Sequence, residues 1–427
     1  MPAPLYDALV HHRNLGRSSF HTPGHKNNPE ALPQDLYSLD FTELPDTDSL
    51  FDASGPIMQA EKLASEFFGT ARTCFSAGGC TLCIQAMFRL ALPEGGKVLC
   101  SRVIHRSAVD AMALLGIEPV WAMPDDMVKT LNANTDVRAV YITSPDYYGR
   151  LMDVEAISAA CRKIGIPLLV DCAHGAHLMF TAPKLHPLAY GASMTADSAH
   201  KTLGVLTGGA WLNIGDERYA ANAKSAMALF GSTSPSYPVM ASLDCARAWL
   251  QANPNAFLPL QEKVAEIKKL AQRRGIALPA GKGDPTRITL NTASIGLHGT
   301  EAAELFRKAG VEPEYADADY VVLIATPFNT EKDFMRLKSA IENLPCGRPL
   351  PAHPSLPALP PVKEGLREAV LAPSVTACLS KAVGRIAAEA ACPCPPGIPI
   401  VMPGELITEE AVEFLRRYGF IKINVLK

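Results

Sequence analysis

The sequence lacks the features that would assign it to nucleic-acid-binding, membrane or disordered proteins. Its 40 Lys and Arg residues are balanced by 43 Asp and Glu residues, so we expect no basic surface for nucleic acid and no acidic tail. The N-terminus has no basic segment followed by an apolar one, and no apolar run has the length of a membrane span. We therefore expect a cytoplasmic protein that acts on small molecules, without a nucleic-acid or membrane partner.

The cysteines and glycines exclude further classes. The chain has 11 cysteines, an odd and scattered set that fits a reducing compartment better than a disulfide framework. The pairs Cys80/Cys83 and Cys392/Cys394 have no second Cys or His pair at zinc-site spacing, so we expect no metal. The sequence contains neither a Walker lysine nor a G-x-G-x-x-G motif, and nothing in it supports a mononucleotide or dinucleotide site.

The order of predicted elements indicates an α/β protein with more than one domain. A chain of 427 residues is too long for one compact core. From about residue 56, strands and helices alternate roughly every thirty residues, which is typical of a mainly parallel sheet with helices on both faces. Residues 345–361 contain seven prolines and predict an irregular linker. The expected parts are an N-terminal arm (1–55), a large domain (56–260), a small α/β domain (261–344), the proline-rich linker (345–362) and a C-terminal domain (363–427).

Apolar periodicity predicts the individual elements. The predicted helices cover residues 5–12, 57–68, 82–90, 107–115, 154–164, 217–230, 239–250, 258–273, 300–309 and 380–391. The predicted strands cover residues 97–101, 137–143, 167–171, 210–214, 287–290 and 320–325, and a further helix and strand end the chain. Residues 73–81 predict a turn. Residues 20–26 and 40–48 show no periodicity, and we expect arms that lie over another surface, as subunit clasps do.

Residues 195–204 (TADSAHKTLG) are the stretch around which the other site residues are grouped. Its lysine, Lys201, follows His200 and small polar residues and precedes a glycine-rich turn, a setting that indicates an amine held inside a site. Such an amine forms a Schiff base with a carbonyl, and the commonest carbonyl partner held by proteins is pyridoxal phosphate, whose ring nitrogen requires a carboxylate. Asp171 ends an apolar, strand-like run at the sheet edge where ligands bind. The pair Asp171 and Lys201 is our first hypothesis.

Other residues support a cofactor site less specifically. Residues 76–81 (SAGGCT) precede a helix, where glycines and exposed N–H groups favour an anion such as phosphate. His105 follows a strand and could stack on a planar ring or cap the helix that starts near Ser107. His174 and His177, at i and i+3, could bind a metal, but their position at a strand end favours a role facing a ring or in packing.

Together these residues resemble the Orn/Lys/Arg decarboxylase family. The matching stretches are FHTPGHK (20–26), DFTEL (40–44), SRVIHRS (101–107), TSPDYYG (143–149), DCAHGAH (171–177), DSAHKTL (197–203), STSPSY (232–237) and PPGIPIVMPGE (395–405). They span nearly the whole chain in the family's order. The resemblance implies the aspartate aminotransferase-like fold of pyridoxal phosphate enzymes (fold type I), with a mainly parallel seven-stranded sheet and smaller C-terminal α/β domains.

The resemblance also assigns roles to single residues. It implies that Lys201 binds pyridoxal 5'-phosphate covalently, that Asp171 contacts the pyridine nitrogen, and that His200 is the candidate proton donor to the substrate carbon. The cofactor-binding set that it implies comprises Gly78, Gly79, Cys80, Thr81, His105, Asp171, His174, Ser198, Lys201, Ser232 and Thr233. In the family the loop at 232–237 reaches the partner's cofactor phosphate, so we expect a homodimer with shared active sites.

The chain departs from the family pattern at several positions. Cys172 stands where the family usually has Glu, and Gly79-Cys80 stands where it has hydroxyl residues, which would cost roughly 1.5–3 kcal/mol of cofactor binding unless Thr81 replaces the lost hydrogen bond. Phe51 stands where the family often has His. We expect no N-terminal receiver-like domain of the kind that the large members carry, and therefore a dimer rather than a decamer.

The expected reaction is decarboxylation of lysine, ornithine or arginine to the amine and CO2. A basic substrate side chain calls for acidic groups near the entrance, and the candidates are Glu405, Asp46 and Asp48. One alternative is another fold-type-I reaction, such as a lyase reaction or a transamination in which Arg367 or Arg385 pairs with the substrate carboxylate. A second alternative is an inactive homologue with a scaffolding role.

Overall fold

The computed structural model describes residues 13–31, 36–351, 356–393 and 397–427, and the helix predicted over residues 5–12 lies outside them. The strands are β1 Ser18–Phe20, β2 Arg72–Ser76, β3 Gly96–Ser101, β4 Ile117–Ala122, β5 Val137–Thr143, β6 Leu168–Asp171, β7 Met194–Asp197, β8 Ala210–Ile214, β9 Arg287–Asn291, β10 Val311–Pro313, β11 Tyr315–Ala316, β12 Tyr320–Ile324, β13 Ser374–Cys378 and β14 Lys422–Leu426. The α-helices are α1 Pro56–Phe68, α2 Gly79–Ala91, α3 Arg106–Leu115, α4 Met127–Ala133, α5 Val154–Ile164, α6 Ala199–Thr202, α7 Ala223–Ala228, α8 Tyr237–Ala252, α9 Phe257–Arg273, α10 Gly299–Lys308, α11 Glu331–Glu342, α12 Leu366–Leu371 and α13 Glu409–Arg417. Within this part of the chain, no helix is both long and apolar enough to cross a membrane.

A seven-stranded sheet organises residues 72–214. Its strand order is β2-β8-β7-β6-β5-β3-β4, and β8 alone runs antiparallel to its neighbours. The mainly parallel sheet predicted from the sequence is thus confirmed. The sequence pattern missed β4, which contains a proline and an exposed Glu118, and β7, whose four residues are too short for a periodicity to register.

Both faces of this sheet are buried. Along β8, Trp211 packs with the apolar residues of one face while its neighbour Leu212 packs with α2 on the other. Along β5, Tyr141 and Ile142 likewise belong to opposite faces. Because parallel strands point the same way, β5, β6 and β7 all end at one edge of the sheet, with Thr143, Asp171 and Asp197 as their last residues. This edge is where the candidate site lies.

A smaller unit follows the large sheet. Its three-stranded antiparallel sheet has the order β11-β12-β9 and contacts α10, while α9 and α11 pack beside it. Strand β1, near the N-terminus, pairs in parallel with β10, with Ser18 opposite Val311. The segment expected to be an arm therefore begins as a short strand on its own chain.

The segment that follows β1 crosses from the small unit to the large sheet. The N–H of Gly24 donates to the carbonyl of His200 at 2.7 Å, and the Thr326 hydroxyl donates to the Gly24 carbonyl at 2.8 Å. A Cβ on Gly24 would lie 2.5 Å from the Leu203 carbonyl oxygen, so only glycine allows this approach. Residues 18–26 thus connect strand β10 of the small unit to helix α6.

Several predicted elements are wrong. The helix predicted over 380–391 is absent: Gly384 has a φ of 77°, and Ile386, Ala387 and Ala391 form isolated strand bridges with distant residues. The alanine-rich sequence by itself favours a helix. In the folded chain these residues instead pair with β14 and with residues 401–406. The helix predicted over 217–230 is reduced to α7 and a 3₁₀ turn, and the turn predicted over 73–81 begins with strand β2.

Candidate active site

A cavity of about 290 Å³ opens at the carboxyl edge of the large sheet. The predicted site residues that line it are Gly79, Cys80, Thr81, His105, Asp171, His174, Ser198, His200 and Lys201. They come from four separate segments of the chain. Parallel strands and the helices that follow them bring these segments together, as the sequence argument required.

Asp171 and Lys201 face this cavity from neighbouring strand ends. Asp171, the last residue of β6, is 2% exposed, and its carboxylate accepts from the Ala173 N–H at 3.0 Å and from the Tyr141 hydroxyl at 3.3 Å. Burial raises the pKa of this carboxyl group, and the Ala173 hydrogen bond and the positive charge of Lys201 act in the opposite direction. A cation placed in the cavity would therefore be held strongly by Asp171.

His174 contacts the amine of Lys201 directly. The distance from its Nε2 to Lys201 Nζ is 3.0 Å. On its other side, the guanidinium of Arg287 approaches Nδ1 at 3.4 and 3.5 Å and donates to the His174 carbonyl at 3.3 Å. Burial, followed by the charges of Lys201 and Arg287, lowers the pKa of His174 well below its ordinary value. The imidazole is accordingly neutral.

The two remaining histidines that line the cavity, His105 and His200, each form a hydrogen bond to the backbone through Nδ1. Nδ1 of His105 accepts from the Ser107 N–H at 3.2 Å, so this ring caps α3 and also lines the cavity. Nδ1 of His200 donates to the Gly209 carbonyl at 3.1 Å, which leaves Nε2 as the basic nitrogen. Burial and the nearby Lys201 charge lower the pKa of His200.

The opposite end of the cavity is the N-terminus of α2. Gly79 has a φ of 67°, which favours glycine, and its N–H donates to the Gly208 carbonyl at 2.8 Å. Cys80 and Thr81 then begin the helix, and the helix dipole favours an anion at this position. The side chain of Thr81 is exposed while that of Cys80 is buried, so the Thr81 hydroxyl is available near the position where this chain lacks a hydroxyl of the family pattern.

The predicted acidic groups for the substrate lie elsewhere, and we correct that prediction. Asp48 accepts from five backbone N–H groups between residues 49 and 58 and so caps the start of α1. Glu405 is 1% exposed and forms an ion pair with Arg102, at 2.6 Å. Both carboxylates are therefore fully engaged. Asp46 is exposed and does not line the cavity.

The other predicted residues outside the cavity are in the 232–237 loop and in the C-terminal part. Ser232 and Thr233 are exposed in the single chain. Arg367 donates to the carbonyls of Ala113 and Leu114, and Arg385 donates to the Leu426 carbonyl. These two arginines are held away from the cavity, which removes the structural basis for the carboxylate-binding role considered for them.

Sequence reasoning missed two arginines next to the cavity, Arg102 and Arg287. Arg102 follows β3 and donates to Glu405 and to the carbonyls of Pro399 and Ile400, which fixes the 397–405 segment beside the cavity. Its place directly after a predicted strand was a usable signal. Arg287 begins β9 in the small unit, and no local signal in the sequence connects it with His174.

A buried cluster lies behind the site. Cys172, His186 and Asp197 have possible ligating atoms within 4.8 Å of one another. The Asp197 carboxylate accepts from His186 at 2.6 Å and from the Asn213 amide at 2.9 Å, and Thr195 also donates to it. These hydrogen bonds satisfy the carboxylate without a cation, so we interpret the cluster as a polar network that supports β7.

The cavity fits the chemical parts of pyridoxal phosphate. One cavity presents an amine, a buried carboxylate, an imidazole and a helix N-terminus, which match an aldehyde, a ring nitrogen, a flat ring and a phosphate, respectively. The fit rests on Asp171 in particular, because a deeply buried carboxylate with a raised pKa gains most from a cationic ring nitrogen.

Comparison with known proteins gives the same family along most of the chain. The family model described as Orn/Lys/Arg decarboxylase, major domain, matches residues 3–135 and 125–278, and the model of the C-terminal domain matches residues 363–421. A protein named arginine decarboxylase from Bacillus subtilis is 29% identical over 96% of this chain and 92% of its own length.

Lysine decarboxylases are similar in sequence and in fold. The constitutive lysine decarboxylase of Escherichia coli is 22% identical over 96% of this chain and 76% of its own length. Its solved structure aligns with 100% of this chain and 82% of its own, with a TM-score of 0.75 and 19% identity, which supports the fold. The chain therefore belongs to the Orn/Lys/Arg decarboxylase family and is an amino-acid decarboxylase of the pyridoxal phosphate fold type I.

Proposed function

We propose that the chain catalyses the pyridoxal phosphate-dependent decarboxylation of a basic amino acid to its amine and CO2. The observation that carries the proposal is the presence of Lys201 and Asp171 in one cavity at the carboxyl edge of the sheet. The cofactor, when bound, supplies a conjugated ring that accepts the electron pair left by the departing CO2. Residues of the chain bind the cofactor and hold or transfer the protons that the reaction requires.

Each residue of the cavity has a role that follows from its position. Lys201 supplies the amine that attaches the cofactor, and Asp171 keeps the proton on the ring nitrogen, so the ring stays an effective electron acceptor. Thr81 and Ser198 supply hydroxyls near the N-terminus of α2 for the phosphate. His200, once protonated at Nε2, can deliver a proton to the substrate carbon after CO2 leaves.

Acidic groups that border the cavity favour a substrate with a distal cation. Asp146 lines the cavity with 7% exposure, and its carboxylate also binds Arg150 at 2.7 Å. Glu314 accepts from the hydroxyl of Tyr147, another lining residue, at 3.1 Å. We propose Glu314, in place of Asp48 and Glu405, as the group that attracts the basic end of the substrate, because both oxygens of the Asp146 carboxylate already accept from Arg150.

The test is to incubate the cofactor-loaded protein with arginine, lysine and ornithine separately and to identify the product. Arginine is the first substrate to try, because the relatives with that name are more similar in sequence than the lysine decarboxylase. Release of CO2 with one of the three amines supports the proposal, and Lys201→Ala should abolish it. A keto acid as the main product would instead identify an aminotransferase.

We also propose a homodimer whose sites are shared, because Ser232 and Thr233 are exposed polar residues outside the cavity of their own chain. The test mixes an inactive Lys201→Ala chain with a chain altered at Ser232 and Thr233, under conditions of subunit exchange. Hybrid dimers collect both lesions in one site and leave the other intact, so activity should return. A mixture that exchanges subunits and stays inactive would show that each site belongs to one chain.

A further inference from the structure

A second cavity lies beside the active-site cavity. Its volume is about 220 Å³, and Tyr148 is the one described residue that lines both cavities. Two backbone hydrogen bonds join its walls: the N–H of Leu151 donates to the carbonyl of Lys282 at 3.0 Å, and the N–H of Asp284 donates to the carbonyl of Gly149 at 2.8 Å. The large domain and the small unit thus form this second cavity together.

The side chains that line the second cavity carry an excess of positive charge. Four of them are basic, namely Arg150, Lys268, Lys282 and Arg287. Among the described lining residues the one acid is Asp284, whose side chain is fully buried and whose carboxylate accepts from the N–H and the hydroxyl of Thr286 at 2.8 and 2.9 Å. Asp146, outside this cavity, pairs with Arg150 at 2.7 Å. Two positive charges therefore remain without a counter-charge.

Arg287 brings an N–H group to this cavity that lacks an acceptor. The residue is 3% exposed, and its terminal nitrogens donate to the carbonyls of His174 and Tyr147. Its Nε has no hydrogen-bond acceptor in the described part of the chain, and the Asp284 carboxylate lies 3.8 Å away, beyond hydrogen-bond distance. An acceptor in the cavity would satisfy this donor.

The other three basic residues can also bind an anion. Arg150 uses its Nε for Asp146, and its two terminal nitrogens have no acceptor among the residues that the structure describes. Lys282 is exposed and forms no ion pair within that same part of the chain. Burial lowers the pKa of Lys268, so a negative charge in the cavity would stabilise its protonated form.

We propose that the second cavity binds a small, doubly charged oxyanion of the phosphate class. The two uncompensated positive charges match the charge of such an ion. The guanidinium groups of Arg150 and Arg287 supply N–H donors in the fork geometry that suits its oxygens, and the two lysines supply point charges. This site is additional to the one proposed for the cofactor phosphate at the N-terminus of α2, and it does not depend on the reaction that the chain catalyses.

The test is equilibrium dialysis of radiolabelled inorganic phosphate against the full-length, cofactor-loaded protein in a chloride buffer. The cofactor occupies the proposed phosphate position at α2, so phosphate bound by this form reports on the second cavity. We expect one phosphate per chain. Sulfate should displace it, and acetate at the same ionic strength should not, because acetate carries a single charge.

Matched variants locate the bound ion. Lys282→Met and Lys268→Met should each weaken phosphate binding about tenfold or more, because each removes a charged donor. The control is Lys269→Met, which alters the exposed neighbour of Lys268 on α9 and should leave the affinity unchanged. Phosphate should also raise the unfolding temperature of the wild type and of Lys269→Met, and it should not raise that of Lys282→Met.

The inference is overturned if the cofactor-loaded protein binds no phosphate, if Lys282→Met binds it as tightly as the wild type, or if acetate displaces it as well as sulfate does. Should Lys268→Met fail to fold, Lys282→Met decides, since its side chain is exposed. A protein that takes up no pyridoxal phosphate would refute the proposed function, and the comparison is then made without cofactor. Neither lysine lines the active-site cavity, so loss of one bound phosphate in Lys282→Met would still support the second site, and no loss would refute it.

Discussion

Arg102→Met is expected to destabilise the chain by about 3–5 kcal/mol, because it leaves a buried carboxylate without its cation. Arg102 and Glu405 are 0% and 1% exposed, and they are joined by two hydrogen bonds of 2.6 and 2.7 Å. The substitution also removes the donors to the carbonyls of Pro399 and Ile400, at 2.8 and 3.1 Å. In the variant, Glu405 would keep the Met402 N–H as its hydrogen-bond donor.

An exposed ion pair of the same chain provides the control. Arg417 and Glu413 are 54% and 66% exposed and lie one helical turn apart at 2.7 Å. Water already solvates both groups, so Arg417→Met should cost no more than about 1 kcal/mol. The difference between the two arginine variants isolates the effect of burial from the loss of an ion pair as such.

Urea unfolding followed by tryptophan fluorescence is a suitable assay, because Trp121 lies 5.5 Å from the Arg102 guanidinium and reports on this region. A double variant, Arg102→Met with Glu405→Leu, removes both charges and should recover much of the lost stability. The reasoning would be refuted if Arg102→Met cost no more than Arg417→Met. If the double variant were as unstable as the single one, the loss would come from packing rather than from the unpaired carboxylate.

Three further predictions concern single side chains. Asp171→Asn should still bind cofactor but lose most of its turnover, since a neutral amide cannot keep the ring nitrogen protonated; steady-state kinetics with a cofactor absorbance spectrum would show this, and a mild effect would place the role elsewhere. Cys172→Ser should keep activity within about tenfold, roughly 1.4 kcal/mol of barrier, because burial holds the pKa of this thiol well above its ordinary value and no step needs a thiolate; a loss of several orders of magnitude would contradict this. Burial lowers the pKa of Lys26 from 10.5 to about 7, so the unfolded chain binds one more proton between these values and stability should rise with pH there by up to about 1.4 kcal/mol per unit. In Lys26→Met that contribution should vanish, and parallel curves of unfolding free energy against pH for the two proteins would argue against it.

The local sequence was sufficient to predict the bounds of elements whose ends carry typical capping or terminating residues. Helix α5 and strand β5 were predicted with the bounds that the structure shows. For α5 the reason is visible: the Asp153 side chain accepts from the Ala156 N–H at its start, and Gly165 ends it in the left-handed conformation. The helix predicted over 380–391 failed because its backbone pairs with segments distant in sequence, which composition does not reveal.

The same contrast holds for the site. Asp171 and Lys201 could be placed in one cavity because residues at the ends of parallel strands meet at one edge, a rule that needs only the strand positions. The roles given to Asp48 and Glu405 failed because the use of a carboxylate depends on its neighbours in space. Asp48 is taken by the backbone of α1, and Glu405 by an arginine 303 residues away. Arg287 was missed for the same reason.

The connection formed by residues 18–26 has a mechanical consequence. One end is hydrogen-bonded to β10 of the small unit, and the other, at Gly24, is bonded to His200, the residue before Lys201. Only a few residues separate these two attachments, so the distance between them can change little without breaking a hydrogen bond. A rotation of the small unit relative to the large sheet must therefore break one of these attachments or pull on the helix that carries Lys201, so a displacement of the small unit is transmitted to Lys201.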